Sequence, residues 1–396
     1  MARRPTLRVL GALLAAAALL AASCGSGGGS TTVTADPAAA AQELSPPRSD
    51  PVRVRLALAP DPVWEWLKGS GTVDQWEMTH NIRIEASNPF DQFSAFAGGH
   101  VDLVVVNALD VPQFVDQSDR EPAIVGKYTT DRSILAVKRT SRAEGLDDLV
   151  EARIAVSSSL GPTLLWGLIA EALHGLELGV DGADFDLIVV DAAGVADLVM
   201  RGDADACICT PDFAVPYLAD GKMRTLYGGR SAAEIYAQEV VGDPDALPMA
   251  DVFLVDRPWH DRNEAAVAAI LELWDAGLEA WQSERRDIIA DYPHLFSVTT
   301  DAEIAWISDY ATEHDWVVSS VHITASEAAA HEATFAEMQR IGLLDADARK
   351  PDLDTGHESG TDTHDEPDTH DEPDAAAGHR HSAASARPEP PEPARG

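Results

Sequence analysis

The chain has 396 residues, 45% of them hydrophobic and 24% charged, which is enough apolar content for a globular core. Its 66 acidic against 29 basic residues give a formal net charge of −37, which argues against a nucleic-acid partner and against electrostatic adhesion to anionic lipid. Only three cysteines occur, so no disulfide framework is available.

The first residues carry an export signature. Arg3, Arg4 and Arg8 accompany an uncharged apolar run over residues 10–22. That run is short for a membrane span and has the length of a signal-peptide core. Ala21, Ala22 and Ser23 then lead to Cys24. The passage resembles the lipobox of bacterial lipoproteins, although Ala21 stands where leucine is usual. The resemblance implies a signal peptide over residues 1–23, acylation of Cys24 and attachment at the extracytoplasmic face of the cell membrane. An ordinary secretory signal with an incidental cysteine is the alternative. Residues 24–50 are rich in Gly, Ser, Pro and Ala and read as a flexible tether.

From residue 51 to 344, about 290 residues, strand and helix patterns alternate, enough for one large or two ordinary domains. Val52, Val54, Leu56 and Leu58 alternate with other residues as a strand does, and residues 81–85 repeat the pattern. Pro89 opens a helix with Phe90, Phe93 and Phe96 on one face, and Gly98 and Gly99 stop it. Residues 101–106 form a continuous apolar run, which suits a central strand covered on both faces. Further strands are expected at 133–137, 153–156, 186–190, 204–208 and 251–255. Helices are expected after residue 163, over 195–200, and around Val267, Ile270, Leu271, Trp274, Leu278 and Trp281. Thr300 with Glu303, and Thr324 with Glu327, have the spacing of capping boxes. Two blocks share a motif, a Gly shortly before an Asp-bearing strand: Gly99 with Asp102, and Gly202 with Asp205. The whole implies an α/β fold with parallel-rich sheets.

Three stretches carry a family resemblance: residues 93–102 (FSAFAGGHVD), 145–156 (GLDDLVEARIAV) and 341–344 (IGLL). In that order they resemble the substrate-binding proteins of ABC importers, nearest the nitrate, sulfonate, taurine and thiamine-precursor group. The resemblance implies a type II periplasmic-binding architecture of two α/β lobes with a ligand cleft between them. Lobe 1 would comprise residues 51–137 and 250–344, lobe 2 residues 138–249. A monomer is implied, with an ABC permease as partner. The sequence departs from the family at 206–212 (ACICTPD) and in the loop from Pro60 to Trp66.

Ligands of open parallel sheets sit beyond the C-terminal ends of the strands. That rule selects Asp61 and Trp64 after the first strand, Trp64 as a wall or stacking face, with core packing as its alternative. It also selects Asn107, which would otherwise cap the next helix. The loop with Ser158, Ser159 and Thr163 precedes a helix, so its hydroxyls and free N–H groups suit an oxyanion, ordinary helix capping being the alternative. Thr210 and Asp212 hold the matching place after the 204–208 strand, and Asp212 suits a ligand amine or a helix cap. Cys207 and Cys209 point to one face of their strand and read as buried free thiols, metal ligation being the alternative.

From residue 345 the chain turns acidic and Pro-rich, a disordered composition through residue 396. His357, His364, His370, His379 and His381 stand among its carboxylates and suit weak divalent-metal binding, a bare solvated tail being the alternative. No Walker loop, HExxH or GxSxG occurs, so no enzyme is expected and no cofactor is required. The reading is a lipid-anchored extracytoplasmic solute-binding protein for a small organic or oxyanion ligand, sulfonate, taurine, nitrate or pyrimidine-like. A metal or metal-chelate receptor using the tail, or a surface sensor on the same fold, are the competing readings.

Overall fold

The computed structural model describes residues 50–356 except 90, 116–117, 180–183 and 315. Cys24 and the five tail histidines lie outside the described residues.

The chain first builds β1 (Val52–Ala57), α1 (Pro62–Gly69), α2 (Thr72–His80), β2 (Ile82–Ser87), α3 (Gln92–Ala97), β3 (Leu103–Asn107), α4 (Val111–Val115) and β4 (Pro122–Lys127). It then crosses into β5 (Ile134–Lys138), β6 (Arg153–Val156), α5 (Pro162–His174), β7 (Asp186–Val189), α6 (Val195–Arg201), β8 (Ala206–Cys209), α7 (Val215–Ala219), β9 (Met223–Thr225) and α8 (Ala232–Ile235). It returns through β10 (Asp251–Asp256), α9 (Arg257–Asp291), α10 (Asp301–Glu313), α11 (Ala325–Ile341) and β11 (Asp352–Leu353).

Lobe 1 holds a six-stranded sheet, β11-β4-β10-β3-β1-β2, and lobe 2 a five-stranded one, β7-β6-β8-β5-β9. Each sheet has a parallel core and one strand that runs against its neighbours. In lobe 1 it is the returning strand β10, antiparallel to β3 and β4; in lobe 2 it is the entering strand β5, antiparallel to β8 and β9. The crossing strands therefore begin where the parallel strands end: Asp251 pairs with Asn107, and Ile134 with Cys209.

The two expected Gly-Asp motifs are one structural device used twice. In lobe 1 Asp102 accepts from the backbone and side chain of Arg55, and the same guanidinium reaches the Gly99 carbonyl at 2.7 Å. In lobe 2 Asp205 accepts from the backbone and side chain of Arg153, which reaches the Gly202 carbonyl at 3.0 Å. Each pair locks the strand bearing the Arg to the entry of the neighbouring strand, so sheet register is fixed by a charge-assisted network as well as by the backbone.

Both expected capping boxes form, on α10 and α11. Residues 250–344 do not all stay with lobe 1. Lys127 of lobe 1 pairs with Glu327 at the start of α11. Phe335 and Met338 further along that helix are buried with Trp166 and Leu165 of lobe 2. The expected tail boundary also shifts. Leu344 is buried, β11 adds to β4 in parallel, and Arg257 pairs with Asp352 and Asp354, so ordered chain continues to residue 356. Aspartates that read as solvated tail are there partners of a guanidinium at the start of α9.

Lobe 1 is centred on Trp274 of α9, which is 0% exposed. Its ring stacks on Trp64 at 5.6 Å and meets Tyr128 and Phe253 edge-on at 5.7 and 5.0 Å. Trp274→Ala should therefore cost about 3–5 kcal/mol, read as a lower midpoint in urea unfolding; a loss below about 1 kcal/mol, the range of tolerated core swaps, would contradict this packing.

Candidate functional site

Between the lobes lies a cavity of about 650 Å³. Its lining comes from the loop after β1, the end of β3, the first crossing, the turn after β8, the start of β10, the end of α9 with the turn that follows it, and residues 316–317. This is where antiparallel crossing strands begin among the ends of parallel ones, the crevice expected of such sheets.

Asp61 reaches the cavity because it caps α1. One oxygen accepts the Trp64 N–H at 2.8 Å and the other accepts the Tyr128 hydroxyl. Burial pushes its carboxyl up to about 6, against those hydrogen bonds. Asn107 caps the turn after β3 by accepting the Leu109 N–H at 3.0 Å. On the first crossing, Arg132 pairs with Asp212 at 3.4 Å and with Asp251 at 3.8 Å, and lies over the Trp316 ring at 5.9 Å. Thr129 donates its hydroxyl to Asp251 at 2.8 Å. Phe213, Trp281, His294, Phe296 and Trp316 supply much of the remaining wall. The indole N–H groups of Trp281 and Trp316 are buried without a protein partner.

Of the residues selected from sequence, Asp61, Asn107 and Asp212 line the cavity. Trp64 does not. The segment from Pro60 to Trp66, read as a loop, becomes α1, and its helical phase turns Trp64 into the core against Trp274. Thr210 is also outside the lining, its hydroxyl buried without a partner. Cys207 and Cys209 are buried and free.

The serine loop is the largest departure. Ser158 accepts the Leu160 N–H at 3.0 Å, and the Thr163 hydroxyl donates to the Ser158 carbonyl at 2.7 Å, so both side chains organise the turn. Ser159 lines a separate groove with Leu164, Glu171 and Leu343. The N–H of Gly161, at the head of α5, donates to Asp110 of lobe 1. The seat expected for a ligand oxyanion thus holds a carboxylate of the protein itself, contributed from across the cleft.

Tyr128, Arg132, Asp251 and the aromatic wall were not selected from sequence. Looking beyond strand C-termini finds only one side of the site, because Arg132 and Asp251 stand at or before the starts of antiparallel strands. The usable signal was polar residues heading the two crossing segments. Among the described residues no group of three or more His, Cys, Asp or Glu could hold a metal ion.

Two α/β lobes around a solute-sized cleft define the type II periplasmic-binding fold. Residues 80–234 match the family described as ABC transporter, phosphonate, periplasmic substrate-binding protein. Among solved structures the chain is similar to the alkanesulfonate-binding protein SsuA from Xanthomonas axonopodis pv. citri bound to MOPS, with TM-score 0.58 and 17% identity over 75% of this chain and 96% of that one. The periplasmic aliphatic sulphonate binding protein SsuA from Escherichia coli gives 0.57 and 18%, covering 76% and 96%. A zinc-bound ligand-binding component of an ABC-type import system from Staphylococcus aureus gives 0.52 and 11%, covering 76% and 94%. No curated protein sequence matches the chain.

Burial pushes Asp110 up to about 7; the Gly161 N–H opposes the shift, and Asp251 and Asp131 add to it. An unfolded aspartate titrates near about 3.9. The fold therefore holds this proton more tightly than the unfolded chain does. The associated stability is complete below about pH 4 and is lost as pH rises through about 7. Asp110→Asn keeps an acceptor for Gly161 but cannot ionise. Its stability relative to the parent should rise between pH 4 and pH 8 by about 4 kcal/mol in urea unfolding; a difference independent of pH would exclude this carboxylate as the strained group.

Proposed function

We propose that the chain is the extracytoplasmic solute-binding component of an ABC import system. It takes a small organic solute between its lobes and presents the loaded form to a membrane permease, acting as a monomer tethered through a lipid on Cys24. The observation that carries this reading is the cavity of about 650 Å³, a volume typical of small-molecule sites, bounded by both lobes and both crossings. The family match over residues 80–234 supports it. Among the described residues no helix is long and apolar enough to cross a membrane.

The test is a thermal-shift screen of the full mature chain against taurine, alkyl sulfonates, alkyl phosphonates, nitrate, aminopyrimidines and divalent metals. A solute at a hundredfold its dissociation constant adds about 2.7 kcal/mol of stability, which raises the midpoint of a chain this size by roughly 5 °C. Phe213→Ala and Trp316→Ala should each remove most of that rise while the ligand-free protein still folds cooperatively. A rise that survives both substitutions would place the solute outside the cleft, and a response to metals alone would favour a metal receptor.

A further inference from the structure

The charge inside the cleft does not suit a simple oxyanion. Three carboxylates line it, Asp61, Asp212 and Asp251, against one guanidinium, Arg132. That guanidinium is already shared between Asp212 and Asp251. His294 is the other basic side chain of the lining. The helix head that could have supplied a second anion seat donates its Gly161 N–H to Asp110 instead. Asp110 and Asp131 stand close enough to interact electrostatically with Asp251, although burial disfavours the charge on both.

The neutral part of the wall points the same way. Phe213, Trp281, Phe296 and Trp316 line the cavity, with Trp281 stacked on Phe296 at 6.0 Å. The face of Trp316 already carries one cation, the guanidinium of Arg132 at 5.9 Å. Aromatic faces beside carboxylates are the surroundings in which an organic ammonium or amidinium group is bound. Asp251 is more accessible than Asp212, with side-chain exposures of 36% and 7%.

We infer that the solute bound here carries a cationic nitrogen, seated against Asp251 with Asp61 close by, and an apolar or aromatic body laid against Trp316 and Phe213. The inference rests on the cleft being the solute site. It separates this chain from the sulfonate-binding proteins it is similar to in fold. Any acidic group on the solute is accessory and competes with Asp212 and Asp251 for Arg132.

Three probes of one shape and different head groups test it on the full mature chain by calorimetry: 2-phenylethylamine, 2-phenylethanol and 2-phenylethanesulfonate. The amine is expected to bind at least tenfold more tightly than the sulfonate, with the alcohol between them. Asp251→Asn keeps the shape and should weaken the amine about tenfold while leaving the alcohol nearly unchanged. A sulfonate that binds more tightly than the amine would overturn the charge assignment; if Trp316→Ala also abolishes its binding, the cleft stands as the solute site. Indole N–H resonances of Trp281 and Trp316 that none of the three probes moves at millimolar concentration would overturn the assignment and the cleft together.

Discussion

The cleft depends on Arg132. It stands on the first crossing, takes Asp212 from lobe 2 and Asp251 from the second crossing, and rests on the face of Trp316. Burial works against its charge, but the two carboxylates outweigh burial and hold it protonated. Removing Arg132 would be costly chiefly at Asp212, whose side chain is 7% exposed and would lose its charged partner. One side chain thus ties both chain crossings to lobe 2 at the floor of the cavity, and the positions of Asp212 and Asp251 follow from it.

The sheets make this arrangement available. A purely parallel sheet would bring only strand C-termini to the crevice. Here each sheet admits one antiparallel strand, β5 or β10, whose first residues arrive at the same edge. Asp251 opposite Asn107 is the direct result. The paired locks, Arg55 with Asp102 and Arg153 with Asp205, keep the remaining strands in register, so loops on the two lobes face one another across a fixed frame. The carboxylate of Asp110 on the head of α5 adds a contact between lobes that a solute-driven rearrangement would have to accommodate.

Much of the fold was legible in the sequence, because alternation, apolar runs and capping boxes are local signals. Strand β4 was not, since Pro122, Gly126 and Lys127 interrupt its apolar run although the whole strand is buried. Strand β9 has only three residues. The site was legible where a residue ends a parallel strand or lies within a few residues after one, as Asn107, Asp61 and Asp212 do. It was not where function depends on partners distant in sequence. Nothing near Ser158 reveals that Asp110, about fifty residues earlier, occupies the adjoining helix head. Trp64 misled because the proline-bearing loop is a helix whose phase carries the ring inward. Residues 345–356 misled because their composition matches a solvated tail while Arg257 supplies the charge that orders them.

The most direct test of this account is hydrogen–deuterium exchange of the full mature chain with and without a bound solute. The account predicts that segments around residues 58–62, 128–132, 211–213, 249–251 and 316–317, far apart in sequence and gathered around the cavity, become protected together. Protection confined to one lobe, or centred on the serine loop at 157–163 with these segments unchanged, would contradict it.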